Sequence, residues 1–188
     1  MSGMAGTEES FKQLSGQSIT LLHVATHGFY SPLTGHYTAQ RSFEEQALSR
    51  SGLFLSGAAA SLNMKKIPED IEDGILTAKE LSKLDLSNLN LAILSACQTG
   101  LGEIVGDGVF GLQRGFKKAG AQTLLMSLWK VDDTATQLLM AEFYKNLVSG
   151  QNKRAAFLNA QKYLRSYQNG IYDKPEYWAA FIMLDGIH

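Results

Sequence analysis

LNLAILSACQTG, residues 89–100, decides the reading of the fold. Its apolar run is continuous rather than alternating. A strand buried on both faces, as in a parallel sheet, reads that way. The run then passes into small residues and the single cysteine of the chain, Cys97. A second run, SITLLHVAT over 18–26, has the same character and leads into His27 and Gly28. A third, QTLLMSLW over 122–129, completes a set of three buried strands.

Helical patterns separate these runs. TEESFKQL (7–14) reads as a short helix capped by Thr7, with Glu8 and Glu9 at the positive end of its dipole. LTAKELSKL (76–84) is a helix with Thr77 as N-cap. In GDGVFGLQRGFKKAGA (106–121), Val109, Leu112, Phe116 and Ala119 have helical spacing and Gly120 stands where a glycine stop belongs. Two amphipathic helices follow, over 132–150 and 151–167, and a last strand over 176–186. Residues 30–52 read as a long polar loop, 52–58 as a short strand and 59–73 as a second excursion. Strands alternating with helices predict an α/β fold, a mostly parallel sheet with helices on its faces. Sites in such sheets lie beyond the C-terminal ends of the strands. His27 and Cys97 both fall just past such an end, so neighbouring strands would bring them together.

The totals narrow the function. A length of 188 residues suits one domain with a real core. A formal net charge of −1 gives no electrostatic case for nucleic acid or an anionic membrane surface. One cysteine makes no internal disulfide, which fits a reducing, cytoplasmic setting. No run approaches the roughly 18 apolar residues of a membrane span, and the N-terminus lacks the basic and apolar regions of a secretory signal. His23 and His27, four apart, would converge on a metal from a helix but not from a strand, so no metal is expected. GLGEIVGDG (100–108) lacks the Gly-Lys-Ser/Thr ending of a phosphate loop, so no cofactor is expected either.

A thiol attacks well only as the thiolate, and an imidazole can take its proton and later protonate a leaving amine. Gly28 lets backbone approach closely. Its N–H and that of Cys97 are candidate oxyanion donors. The bland alternatives are a buried apolar cysteine and a merely hydrogen-bonded histidine. In KVDD (130–133), Asp132 and Asp133 are either helix caps or a charge at a cleft floor.

Taken in order, LLHVATHGF, SGLFLSGA, DGILTAKELSKLDLSNLNLAILSACQTGLGE, GVFGLQRGFKKAGAQTLLMSLWKVDDTAT and EYWAAFIML resemble the CHAT domain. This is the caspase- and separase-like peptidase domain often joined to tetratricopeptide (TPR) repeats in bacteria. The resemblance implies a caspase-like three-layer αβα fold over 7–188, with 1–6 a disordered tail or expression scar. It implies a His–Cys dyad of His27 and Cys97. LWKVDD is similar to the separase stretch whose acidic residue receives a basic P1 side chain; Asp133 falls on that match, with Asp132 beside it. The chain departs from the family by starting at the helix before the His strand. The first β-α-β unit is expected to be missing, leaving a sheet edge for a longer parent chain or a second copy (a homodimer) to cover. The resulting expectation is a cysteine endopeptidase acting on a protein or peptide substrate. A fused or partner TPR or sensor domain would regulate it. The alternative is a silent caspase-like scaffold for protein–protein interaction.

Overall fold

A computed structural model describes residues 5–31, 43–62, 72–95, 102–105 and 108–185. Its centre is a four-stranded sheet of β1 (Leu21–Val24), β5 (Leu91–Leu94), β8 (Thr123–Ser127) and β9 (Phe181–Asp185), in the spatial order β1-β5-β8-β9. The first three run parallel, and β9 returns antiparallel beside β8. A smaller antiparallel sheet joins β2 (His27–Tyr30), β3 (Ser51–Phe54) and β4 (Ile75–Thr77). A hairpin pairs β6 (Gly102–Val105) with β7 (Gly108–Gly111).

The period-2 alternation of the strands sends side chains to two separate cores. Val24, Ala92, Leu94, Leu124 and Met126 point to one side. They meet Phe11 of α1 (Glu8–Lys12), Leu81 of α4 (Ala78–Leu81) and Leu112 and Phe116 of α5 (Leu112–Lys118). Leu91, Ile93, Leu125 and Phe181 point to the other side. They meet Leu139 and Phe143 of α6 (Asp133–Val148) and Phe157 and Leu164 of α7 (Lys153–Ser166). The result is the expected three-layer αβα arrangement. Truncating a fully buried anchor such as Phe116 or Phe143 costs about 3–5 kcal/mol.

Local chemistry sets the helix ends. Thr77 and Glu80 form a reciprocal capping box at α4. Asn152 Oδ1 accepts from the Ala155 N–H at 2.9 Å to start α7. Buried Asn146 donates to the Ala156 carbonyl at 3.2 Å, which pins the α6–α7 corner. The α4–α5 contact is close enough that a Cβ on Gly115 would lie 2.8 Å from the Ala78 carbonyl oxygen.

Several sequence expectations need correction. The run 18–26 is not buried on both faces: β1 is the edge of its sheet, with Leu21 45% exposed and His23 open to solvent. An apolar run records composition, not how many neighbours a strand has. The loop of 30–52 contains α2 (Phe43–Leu48), and the excursion of 59–73 begins with α3 (Ala58–Leu62). Both are under two turns, too short to show a period. The helix expected from residue 106 starts only at Leu112, because Gly108–Gly111 is a strand. The last strand begins at Phe181, after the turn of helix α8 (Pro175–Trp178).

Helix α1 is held down by charge as well as by Phe11. Glu8 is 1% exposed; its Oε2 accepts from the Gly74 N–H at 2.9 Å, and its Oε1 lies 2.7 Å from Lys12 Nζ. Gly74 has φ +75°, and a Cβ there would sit 2.4 Å from the Ala58 nitrogen, so only glycine fits this approach. Lys12 Nζ also reaches Glu72 at 2.8 Å and Glu80 at 3.2 Å. The three carboxylates converge as metal ligands would, but the Lys12 ammonium takes the cation's place. Burial pushes the Glu8 carboxyl up, against the pull of Lys12. Burial also works against Lys12, yet the three carboxylates outweigh it and raise its pKa. Lys12→Met leaves Glu8 buried without its cation, an expected loss of about 1–3 kcal/mol. A carboxyl whose folded pKa is raised loses stability as pH climbs through that pKa. The melting-temperature deficit of the variant against wild type should therefore be larger at pH 7.5 than at pH 4.5.

Candidate active site

The C-terminal ends of β1, β5 and β8 and the N-terminal end of α6 meet at one edge of the main sheet. β1 and β5 pair in register from Leu21↔Leu91 to Val24↔Leu94, a constant offset of 70 positions. The Ser95 N–H donates to the Val24 carbonyl at 3.0 Å, carrying the parallel pattern one residue further. Beyond Val24 the chain bends at Ala25–Thr26, and His27 opens β2 opposite Phe54. The Thr26 hydroxyl donates to the Phe54 carbonyl, and Phe29 packs on Phe54 with ring centroids 4.9 Å apart. These contacts fix the turn that carries His27 away from the main sheet with its side chain exposed. Gly28 follows, half-buried and paired with Leu53. Cys97 lies outside the described residues.

The two aspartates separate. Asp132 Oδ1 accepts from the Ala135 N–H at 2.9 Å and caps α6. Asp133, the first residue of the helix, lines a pocket of about 50 Å³ with Ser95, Ser127, Trp129, Thr136 and Phe181. A larger cleft of about 220 Å³ lies between α1 and β1, with Phe11, Leu14, Leu22 and Val24 among its walls. Thr7, Ser10, His23 and Thr26 also line the larger cleft, whereas the smaller pocket sets the Asp133 carboxylate beside Ser95, Ser127 and Thr136.

Sequence reasoning missed one constellation. His23 Nε2 lies 2.5 Å from Ser95 Oγ, and His23 Nδ1 lies 2.7 Å from the Tyr144 hydroxyl on α6. The sequence had raised His23 only as a metal ligand. Strand parity held the missing signal: His23 shares a face of β1 with Leu21, as Ser95 shares the helix-covered face of Leu91 and Ile93. Tyr144 arrives 121 positions later, and no local pattern announces it. The edge of the His23 residue is open to solvent, but its ring is packed against Tyr144 with centroids 5.8 Å apart. Burial of the ring lowers its pKa below the usual imidazole value, and burial likewise raises that of Tyr144.

The family profile of the CHAT domain matches residues 1–186. The chain belongs to the CHAT domain family. The fold of this CHAT domain fits that membership: a mostly parallel sheet between helix layers, as in the caspase-like clan of cysteine peptidases. Mouse tetratricopeptide repeat protein 28 is 34% identical over 110 residues, 58% of this chain. Its human counterpart is 32% identical over 114 residues, 61% of this chain. The chain spans about 4% of the length of each of these mammalian proteins. Among the described residues, no helix of the CHAT domain is long and apolar enough to cross a membrane.

The lowered pKa of His23 has a signed consequence. Below about pH 6.5 an unfolded histidine takes up a proton that folded His23 resists. Its contribution to stability is present above pH 6.5 and lost as pH falls through that value toward the folded pKa. Between pH 7.5 and 5.5, the melting temperature of wild type should fall more than that of His23→Asn. Equal slopes in the two thermal-melt series would contradict the assignment.

Proposed function

We propose that this CHAT domain is a cysteine endopeptidase domain. Cys97 Sγ, as thiolate, attacks the scissile carbonyl carbon and forms an S–C bond. His27 takes the thiol proton and passes it to the amine as the C–N bond breaks. The N–H groups of Gly28 and Cys97 are the oxyanion donors. Water then hydrolyses the thioester, releasing the acid and restoring the thiol.

One observation carries this reading. The β1–β5 ladder pairs residues 70 positions apart, and His27 and Cys97 are themselves 70 positions apart. In sequence each follows the last pair of its strand by three residues, and sites of parallel sheets gather beyond such strand ends. The order of the pair, histidine first, also matches the caspase-like clan. Of the two aspartates, Asp132 is engaged in capping and Asp133 faces the pocket shared with Ser95, two residues before Cys97. The reading therefore gives Asp133 the task of receiving a basic substrate side chain. The repeat proteins among the relatives support regulation by TPR repeats, fused or in a partner. A single cysteine suits a cytoplasmic setting.

The test is cleavage of a fluorogenic peptide library by the full chain. Peptides with Arg or Lys at P1 should be preferred. Cys97→Ala should reduce turnover roughly a thousandfold or more without changing the melting temperature. Undiminished cleavage by Cys97→Ala would end the proposal. Absence of cleavage in wild type, with an inert Cys97 thiol, would leave the silent-scaffold alternative.

A further inference from the structure

Ser95 belongs to two structures at once. On one side its hydroxyl meets His23 Nε2 at 2.5 Å. On the other it lines the pocket bounded by Asp133 and Trp129. His23 is in turn held at Nδ1 by Tyr144, 2.7 Å away. The chain Tyr144–His23–Ser95 thus runs from the last third of α6, across the open edge of the sheet, to the pocket at the start of the same helix.

A neutral imidazole has one N–H and one bare nitrogen, so the chain has two arrangements. In one, Tyr144 donates to Nδ1, Nε2–H donates to Ser95, and the Ser95 proton is free to point elsewhere. In the other, Nδ1–H donates to Tyr144, Ser95 donates to Nε2, and Ser95 offers only lone pairs to its remaining surroundings. Both satisfy the same heavy-atom distances, and exchanging them changes no net charge. A cationic group in the pocket favours the second, because there the Ser95 proton is held on His23 and both remaining directions of the hydroxyl are lone pairs. Among the described residues, Tyr144 and Ser95 are the polar contacts of the ring, and neither carries charge near neutral pH.

We propose that His23 and Tyr144 are positioning residues of this pocket: they fix the Ser95 hydroxyl as a hydrogen-bond acceptor for the cationic group of a basic substrate side chain. The proposal rests on the basic-substrate reading of Asp133 and adds a second, uncharged contact to it. Asp133 supplies attraction that is salt-sensitive and loosely directional. Ser95 supplies direction, and only while its proton is held by His23.

The experiment separates this proposal from the peptidase chemistry by measuring binding without turnover. Cys97→Ala protein is titrated by calorimetry with a peptide carrying arginine, and with the same peptide carrying neutral, nearly isosteric citrulline. Binding should favour arginine. Adding Ser95→Ala, His23→Asn or Tyr144→Phe should cut the arginine-over-citrulline ratio roughly tenfold. Ser95→Thr, which keeps the hydroxyl, should restore most of it. Tyr163→Phe, an exposed tyrosine on α7, should leave the ratio unchanged. A merely structural role would weaken both peptides together and spare the ratio. An unchanged ratio in the Ser95, His23 and Tyr144 variants, or no preference in the parent protein, overturns the proposal. Cleavage by the chain with Cys97 intact is followed in parallel. Discrimination without cleavage would sink the peptidase reading and keep the positioning residues; cleavage with an unchanged ratio would do the reverse.

Discussion

The pairing of β1 with β5 is the contact on which the rest depends. It joins residues 70 positions apart, so everything between them must leave the sheet and return. Loop closure over that distance costs only slowly more than over a shorter one, so the detour is tolerable. It is also structured: β2, β3 and β4 form their own sheet, and Leu53 and Leu76 join the core beneath the main one. Among the described residues, β1 nonetheless has a neighbour on one side only. Its inward face is held by Val24 in the core with Phe11, and α1 is anchored by the Lys12–carboxylate cluster. Its other face has the hydrogen bonds of His23 to Ser95 and Tyr144. The edge of the site is therefore only as firm as a short helix and a few polar ties make it.

This explains what the sequence could and could not reveal. β5 and β8 were legible because both their faces are covered, and burial on two sides leaves an unbroken apolar run. The cap at Thr77, and a cap at one of the two aspartates before α6, were legible because a short polar side chain ahead of a helical pattern has one main structural use. β7 was misread because Val109, Leu112 and Phe116 keep helical spacing across a strand–helix junction at Gly111. Period counting cannot see a junction that falls in step with it. The edge position of β1 was illegible from its own residues, since neighbours are a property of the whole sheet.

The candidate site divides along the same line. His27 and Gly28 stand out locally, as a histidine and a glycine at the tip of an apolar run. The His23–Ser95–Tyr144 chain is assembled from three elements, each with an ordinary local pattern. His23 reads as an interruption of a strand, Ser95 as a small residue after one, and Tyr144 as the flank of an amphipathic helix. Only the parallel register and the placement of α6 across it bring their polar atoms within hydrogen-bond distance. Side-chain networks of this kind are set by tertiary geometry, and single-sequence reading has no access to that.

On the proposed reading, the adjacent aspartates give one helix end two tasks. An N-cap residue must turn its carboxylate back to an amide of the first turn, as Asp132 does to Ala135. The next residue already has helical backbone and projects outward, which leaves Asp133 facing the pocket. The unpaired N–H groups of the first turn make this end of α6 partially positive. A cation approaching it meets repulsion unless a carboxylate stands between. Removing the charge of Asp133 deletes the attraction at the pocket, while the Asp132 carboxylate still offsets the helix dipole behind it. The proposed selectivity for basic side chains would then weaken through loss of charge, whereas loss of Ser95 would blunt it through loss of direction.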